Sequence, residues 1–240
     1  MLRAVFFDAA GTLFDPREPI GESYARVARG FGVETSAGAV SAAFRRAFNE
    51  TPGLAFGPGY RGAELRRMER EWWRGVVRAS FAGLGEFTDF DAYFEALFDY
   101  FADPANWQAD PEAAPTLARL KQAGYALGVI SNFDYRVRGI LDGLALGPYF
   151  DSVTISSEAG WAKPAREIFR AALERQGVAA GEALHVGDSI HLDIAGAEAA
   201  GIAAILIDRE APARLTIRGR TAHAAALGAV VEAAREIPFP

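Results

Sequence analysis

The 240-residue chain contains no cysteine, which excludes disulfides, thiol nucleophiles and cysteine-based zinc sites. Lysine is nearly absent: of the 25 basic residues only Lys121 and Lys163 are lysine and the rest are arginine, so the place of each lysine is informative. The three histidines, His185, His191 and His223, offer no pair with metal-ligand spacing. His185 falls in an expected buried strand and His223 in an expected tail helix, both structural settings, whereas His191 is placed to line the rim of a site. No secretory n-region and apolar h-region precede the first strand, and no uncharged apolar run reaches the roughly 18 residues of a membrane span. Cytoplasmic residence and no membrane partner are therefore expected. The sequence shows no internal repeat, low-complexity tract or block of like charges. Basic excess is missing as well: the net charge of −6 argues against nucleic acid as a partner and requires any phosphate-bearing ligand to find local positive charge.

What is present is ordinary globular material, with 50% hydrophobic and 23% charged residues, enough for one large domain or two modest ones. The opening stretch, Arg3 to Phe14 (RAVFFDAAGTLF), is an apolar strand ending in Asp8, then two alanines, Gly11 and Thr12. A continuous apolar run fits a buried parallel strand, and ligands in open α/β sheets gather at the carboxyl ends of strands. Alone, Asp8 reads equally as a turn cap.

From the proline-punctuated loop at residues 15–19 to about residue 101 the periodicity is helical. Four helices are expected around an aromatic-rich core, with stripes at Tyr24, Val27, Ala28 and Phe31; Phe44 and Phe48; Leu65, Met68, Trp72, Val76 and Ala79; and Phe90, Tyr93, Phe94, Leu97 and Phe101. Glycine-rich residues 57–62 follow no strand, so they read as a turn and not as a phosphate loop. After Asp103-Pro104 and Asp110-Pro111 strands and helices alternate. Strands are expected at 125–131, 152–156, 183–187 and 203–207, and helices at 112–123, 134–144, 164–176 and 190–200. The alanine-rich tail, 222–234, reads as an amphipathic closing helix. Alternation of this kind means a parallel sheet covered by helices. The first strand joins it, so the helical block is an insertion, with 1–16 and 104–240 forming the core domain and 17–103 the inserted one.

The strand ends carry groups that one site can use: Asp8; Ser131 and Asn132, whose hydroxyl and amide bind oxyanions without adding charge; Lys163-Pro164 at an expected helix start, where a cation and free N–H groups face an anion together; and Gly187-Asp188 with Asp193. Two converging carboxylates, Asp8 and Asp188, repel unless a cation lies between them, and oxygen-only ligation suits Mg²⁺.

Taken in order, DAAGTLF, ISN, the KP before a helix and VGDSIHLD resemble the four motifs of the haloacid dehalogenase (HAD) superfamily. The stretches PIGESYARVARGFGV, EWWRGVV, ISNFDYRVRGILDGLAL and SSEAGWAKPAREIF resemble one subgroup of it, the haloacid dehalogenase-like hydrolase domain-containing protein 3 group. The resemblance implies an α/β, Rossmann-like core with strand order 5-4-1-2-3 and a helical cap between the first and second motifs. It implies a hydrolase acting on a small, phosphorylated molecule, as a monomer or homodimer. By the same resemblance Asp8 is the nucleophile, Thr12 and Ser131 orient it and the phosphoryl group, Asn132 and Lys163 bind the substrate, and Lys163 neutralises charge. Mg²⁺ is held by Asp8, the Ala10 backbone carbonyl and Asp188, with Asp193 as an outer carboxylate. From the residues alone Asp193 is also readable as a solvated first-turn residue.

One position departs from the pattern. Where phosphatases of the superfamily have a second aspartate that protonates the leaving oxygen and later activates water, this chain has Ala10. Positioned acid–base catalysis supplies about 10²–10⁴ in rate, roughly 3–5 kcal/mol of barrier. Four readings follow. The first is a phosphohydrolase whose leaving group needs little protonation or whose acid comes from the cap, with Glu22, Glu64 and the cap arginines as candidates. The second is a 2-haloacid dehalogenase, favoured by the D-A-x-G-T pattern and opposed by the retained Gly187-Asp188. A phosphonoacetaldehyde-type hydrolase needs a cap lysine for its Schiff base, and neither lysine lies there. The last is a catalytically silent binding or regulatory protein.

Overall fold

A computed structural model describes residues 1–211 and 214–239. The central sheet has seven strands in the order β5-β4-β1-β6-β7-β9-β8, where β1 is Ala4–Phe7, β4 Ala126–Ser131, β5 Ser152–Ile155, β6 Ala183–Gly187, β7 Ala203–Ile207, β8 Leu215–Arg218 and β9 Thr221–Ala224. All neighbours pair in parallel except β8 with β9. Numbered by the five strands expected from the sequence, the sheet runs in the expected order. It differs by the added β9 and β8 at one edge.

That addition corrects the reading of the tail. Thr221–Ala224 is not helical, and only Val230–Glu236 (α10) is. Ala222 and Ala224 are buried and His223 is exposed, a two-residue alternation. Pairing with β7 overrides the helix propensity of alanine. His223 therefore lies on an edge hairpin and not in a helix.

β1 occupies the sheet centre because all four of its side chains are apolar and fully buried. Alternation sends Val5 and Phe7 to one face, against helices α5 (Ala113–Gln122), α6 (Arg136–Gly143) and α10. Ala4 and Phe6 go to the other, against α8 (Arg166–Gln176) and α9 (Ala195–Ala199). Two helix starts differ from expectation. Lys163-Pro164 precedes α8 by a turn instead of opening it, and residues 190–194 form a wider π-turn leading into α9.

Helices α1 (Ile20–Arg29), α2 (Ala37–Glu50), α3 (Gly62–Ser80) and α4 (Phe90–Tyr100) form a separate apolar cluster, with Tyr24, Val77, Phe81, Tyr93 and Phe94 at its centre. Ser36 and Asp89 cap α2 and α4 by accepting from the N–H groups of Ala39 and Ala92. The buried face of α3 is turned from the expected stripe: Ala79 is exposed, while Val77, Ser80 and Glu69 are buried. The chain leaves and re-enters the sheet half through an antiparallel pair that the loop reading missed, β2 (Phe14–Pro16) with β3 (Trp107–Ala109). Phe14 and Trp107 pack edge to face across it at 5.4 Å. Among the described residues no helix is long and apolar enough to cross a membrane.

Candidate active site

The carboxyl ends of β1, β4 and β6 deliver Asp8, Ser131 and Asp188 to one edge of the sheet, and the segment after β5 returns Lys163 to the same place. Lys163 is buried, with its Nζ 2.7 Å from Asp8 Oδ1 and 2.6 Å from Asp193 Oδ1. Its main chain is fixed by Asn132, whose Oδ1 accepts from the Lys163 N–H at 2.7 Å and whose Nδ2 donates to the Lys163 carbonyl at 3.0 Å. The Asn132 amide thus holds the lysine segment.

Asp193 is not a solvated first-turn residue. It is buried, accepts from the Ser189 N–H at 3.1 Å and lies 2.9 Å from His185 Nε2. A carboxylate only accepts, so Nε2 carries a proton toward Asp193; among the described residues Nδ1 has no partner. Gly187 is required here, because a Cβ would lie 2.2 Å from Asp193 Cγ. Gly11 plays the corresponding part beside Asp188: its φ is +89° and a Cβ would lie 2.5 Å from Asp188 Oδ2. Thr12 is buried and its hydroxyl donates to Asp188 Oδ1 at 3.4 Å, not to Asp8. The Ser131 side chain lines the cavity, as does Ala10.

Asp8, Asp188 and Asp193 offer carboxylate oxygens that all lie within 4.8 Å of one another. Burial raises the Asp8 pKa above the ordinary aspartate value although Lys163 pulls the other way. Burial and the charges of Asp8 and Asp193 push Asp188 up to about 6. For Asp193 burial is outweighed by Lys163 and the His185 hydrogen bond, and its pKa is held well below the usual range. Burial also opposes the charge on Lys163, but the Asp8 and Asp193 carboxylates dominate and raise its pKa. The cluster stores more negative charge than one ammonium can balance.

A cavity of about 430 Å³ rises from this floor into the helical block. Glu22 and Glu64 are exposed and off its wall, as is His191. No arginine of the helical block lines it among the described residues; the arginine that does is Arg136, from α6.

Three contributors were not read from the sequence. His185, in an apolar strand two residues before Gly187 and so on the same face, carried a usable signal. Arg209, beyond β7, carried none: it donates to the carbonyls of Gly11 (2.7 Å) and Thr12 (3.2 Å) and to Asp110 Oδ2 (2.9 Å), fixing the turn after Asp8. Asp134 accepts from Arg136 Nε and Nη2 at 2.9 and 2.6 Å and from Trp73 Nε1 at 2.6 Å, tying α3 to the sheet half.

A parallel sheet with a carboxylate-lysine cluster at its strand ends and a helical block above it defines a class of α/β hydrolases. The same fold is found in the L-2-haloacid dehalogenase of Xanthobacter autotrophicus, with a TM-score of 0.74 and 20% identity over 99% of this chain and 100% of that one. The sequence narrows the class: residues 2–201 match the haloacid dehalogenase-like hydrolase family, and the chain belongs to it. It is 37% identical over 208 residues to human haloacid dehalogenase-like hydrolase domain-containing protein 3, covering 86% of this chain and 82% of the relative. It is also 38% identical over 111 residues to the phosphoserine phosphatase of Thermus thermophilus, covering 46% of this chain and 45% of that one.

Proposed function

We propose that the protein is a Mg²⁺-dependent phosphohydrolase of small phosphorylated molecules, working through an aspartyl phosphate on Asp8, with residues 17–103 as its cap. The observation that carries this is the set of three carboxylates within 4.8 Å of one another beside one buried lysine. Such a set needs a further cation, and donors that are all oxygen fit Mg²⁺. Asp8 and Asp188 would hold it, with the Ala10 carbonyl, and Asp193 standing behind through Lys163. When bound, the ion supplies positive charge beside the phosphoryl oxygens. Family relatives that are phosphatases support the same reading.

In the first half-reaction an Asp8 oxygen bonds to phosphorus as the bond to the leaving oxygen breaks. The electron pair goes to that oxygen, which takes its proton from water, because Ala10 has none to give. Lys163 and the Ser131 hydroxyl bind the phosphoryl oxygens, and Asp193 and His185 keep the ammonium oriented. In the second half-reaction water attacks phosphorus, the Asp8 carboxylate is restored, and the water's protons pass to phosphate and solvent. The missing acid restricts the enzyme to leaving groups that depart without help, such as acyl or aryl oxygens.

The expected result is Mg²⁺-dependent release of phosphate from acetyl phosphate, reduced about 10⁴-fold or more in Asp8→Asn, as when a nucleophile is removed. Full activity in that variant or in excess chelator overturns the proposal. Chloride release from 2-chloropropionate without metal would install the dehalogenase reading in its place.

A further inference from the structure

The cavity above the phosphoryl site differs in character from its floor. Each helix of the block contributes an aromatic or apolar wall: Tyr24 from α1, Phe44 from α2, Trp73 from α3 and Phe98 from α4, facing Trp107 and Phe133 from the sheet half. The rings are braced by their neighbours, Tyr24 against Phe44 at 5.3 Å and Trp107 against Phe133 at 6.0 Å, both beyond simple stacking. Aromatic walls in this arrangement form a firm, largely apolar site.

Most polar groups on the wall are already engaged; among the described residues the exceptions are the Tyr24 hydroxyl and the carboxylate of Asp15, which is exposed. Arg136 gives Nε and Nη2 to Asp134 and Nη1 to the Phe98 carbonyl at 3.2 Å, and its guanidinium lies 3.7 Å from the centre of the Phe98 ring. Its charge is neutralised by a buried partner, so it is no receptor for a second anionic group. Asn132 is bonded to both main-chain groups of Lys163, and the Ser189 hydroxyl accepts from the Leu192 N–H at 3.1 Å. A ligand carrying several hydroxyls, an ammonium or a carboxylate would lose water and find few partners in exchange. A hydrocarbon surface loses nothing and gains burial.

We infer, resting on the phosphohydrolase reading, that the natural substrate is a monophosphate of a bulky, uncharged, hydrophobic enol or phenol, seated against Phe44, Trp73 and Phe98, and not a sugar phosphate or an amino-acid phosphate. The phenol or enol form also answers the absence of an acid at Ala10, because a phenol ionises near pH 10 (about the value of tyrosine) and leaves as its anion far more readily than an alkoxide.

The test holds leaving-group acidity nearly constant and varies the tail, using the whole protein with Mg²⁺: 2-naphthyl phosphate, phenyl phosphate and O-phosphotyrosine. The expected order of kcat/KM is naphthyl over phenyl by about 10-fold and over phosphotyrosine by about 100-fold, through KM, in line with burying an added ring against desolvating a charged tail. Phe44→Ser should lower the naphthyl value by about 10-fold, again through KM. A parallel binding arm compares naphthylmethylphosphonate with methylphosphonate, where at least 10-fold tighter binding of the former is expected. Equal or greater kcat/KM on phosphotyrosine, or equal binding of the two phosphonates, overturns the inference and leaves the phosphohydrolase intact. No phosphate released from any of these esters or from acetyl phosphate overturns the phosphohydrolase reading, and the binding arm then decides the character of the cavity by itself.

Discussion

The floor and the roof of the cavity follow opposite rules. On the floor, polar groups are bonded to one another: Lys163 to Asp8 and Asp193, Asp193 to His185 and Ser189, Asn132 to Lys163. Asp8, Asn132 and Asp188 follow strands paired on both sides, and Lys163 and Asp193 are tied to them by the bonds just named. The roof is built from four helices with an apolar cluster of their own, joined to the floor by the β2–β3 pair and by bonds that include Trp73 to Asp134, Arg136 to the Phe98 carbonyl and Ser156 to the Leu54 carbonyl. The titratable groups are fixed where the backbone is least free, and the apolar wall stands where side chains can change without touching them.

The floor can be altered most strongly at its one missing part. Ala10→Asp restores a carboxyl group two residues after Asp8, and turnover of alkyl phosphates such as glycerol phosphate should rise by about 10²–10⁴. The check is phosphate release from alkyl and aryl esters in parallel. A gain confined to aryl esters would show that the roof, and not the absent acid, rejects the alkyl group.

A smaller break targets the buried ion network. Asp193→Asn leaves Lys163 paired with Asp8 alone and should cost about 1–3 kcal/mol of stability at pH 7, the usual size of a lost hydrogen bond to a charged group. In the wild type the depressed Asp193 pKa means stabilisation that is present above the unfolded carboxylate value, near about 3.9, and lost as pH falls below it. Urea unfolding at pH 7 and at pH 3.5 should therefore show a larger loss for the variant at pH 7. Equal losses at both would remove Asp193 from the floor's charge network.

The gentlest test addresses the joint. Glu69 of α3 is buried, and among the described residues neither carboxyl oxygen has a well-formed hydrogen bond, although Ser157 and the Tyr135 main chain lie beside it. Burial raises its pKa, opposed by nearby Ser157 and reinforced by the charges of Asp134 and Glu158. A raised carboxyl pKa makes the folded state hold a proton that the unfolded chain gives up near about 4.3, so this residue's contribution to stability falls as pH rises through that window. Glu69→Gln should flatten the fall that sets in as pH rises above about 4.3, read by chemical denaturation across a pH series. An unchanged slope would mean that Glu69 is ionised and paired at the joint.

Legibility in the sequence divided along similar lines. The strands at 183–187 and 203–207 agree with the sequence reading to the residue, since short, largely apolar runs with Gly187 closing one and Gly201 shortly before the other leave few alternatives. Asp8, Ser131, Lys163 and Asp188 were named because short motifs at strand ends place them there. What escaped was whatever depended on a distant partner. The tail strand Thr221–Ala224 is helical by propensity and a strand only because β7 offers an edge. Glu69 carries no local signal of burial, and only the packing of α3 beside Ser157 and Asp134 encloses it. Arg209 is one arginine among many in the sequence, and only the fold brings it to the carbonyls of Gly11 and Thr12.

By itself, then, the sequence determined the alternating α/β core, the inserted helices and the four groups at the sheet edge, because hydrophobic period and strand-end chemistry are local properties. The tertiary structure alone decided that Asp193 is a buried partner of Lys163, that Asn132 holds the lysine's backbone, and that aromatic side chains from all four helices line the cavity above the site. Those outcomes depend on which surfaces meet, and contact between segments as far apart as Trp73 and Asp134 is set by packing and not by any pattern within either segment.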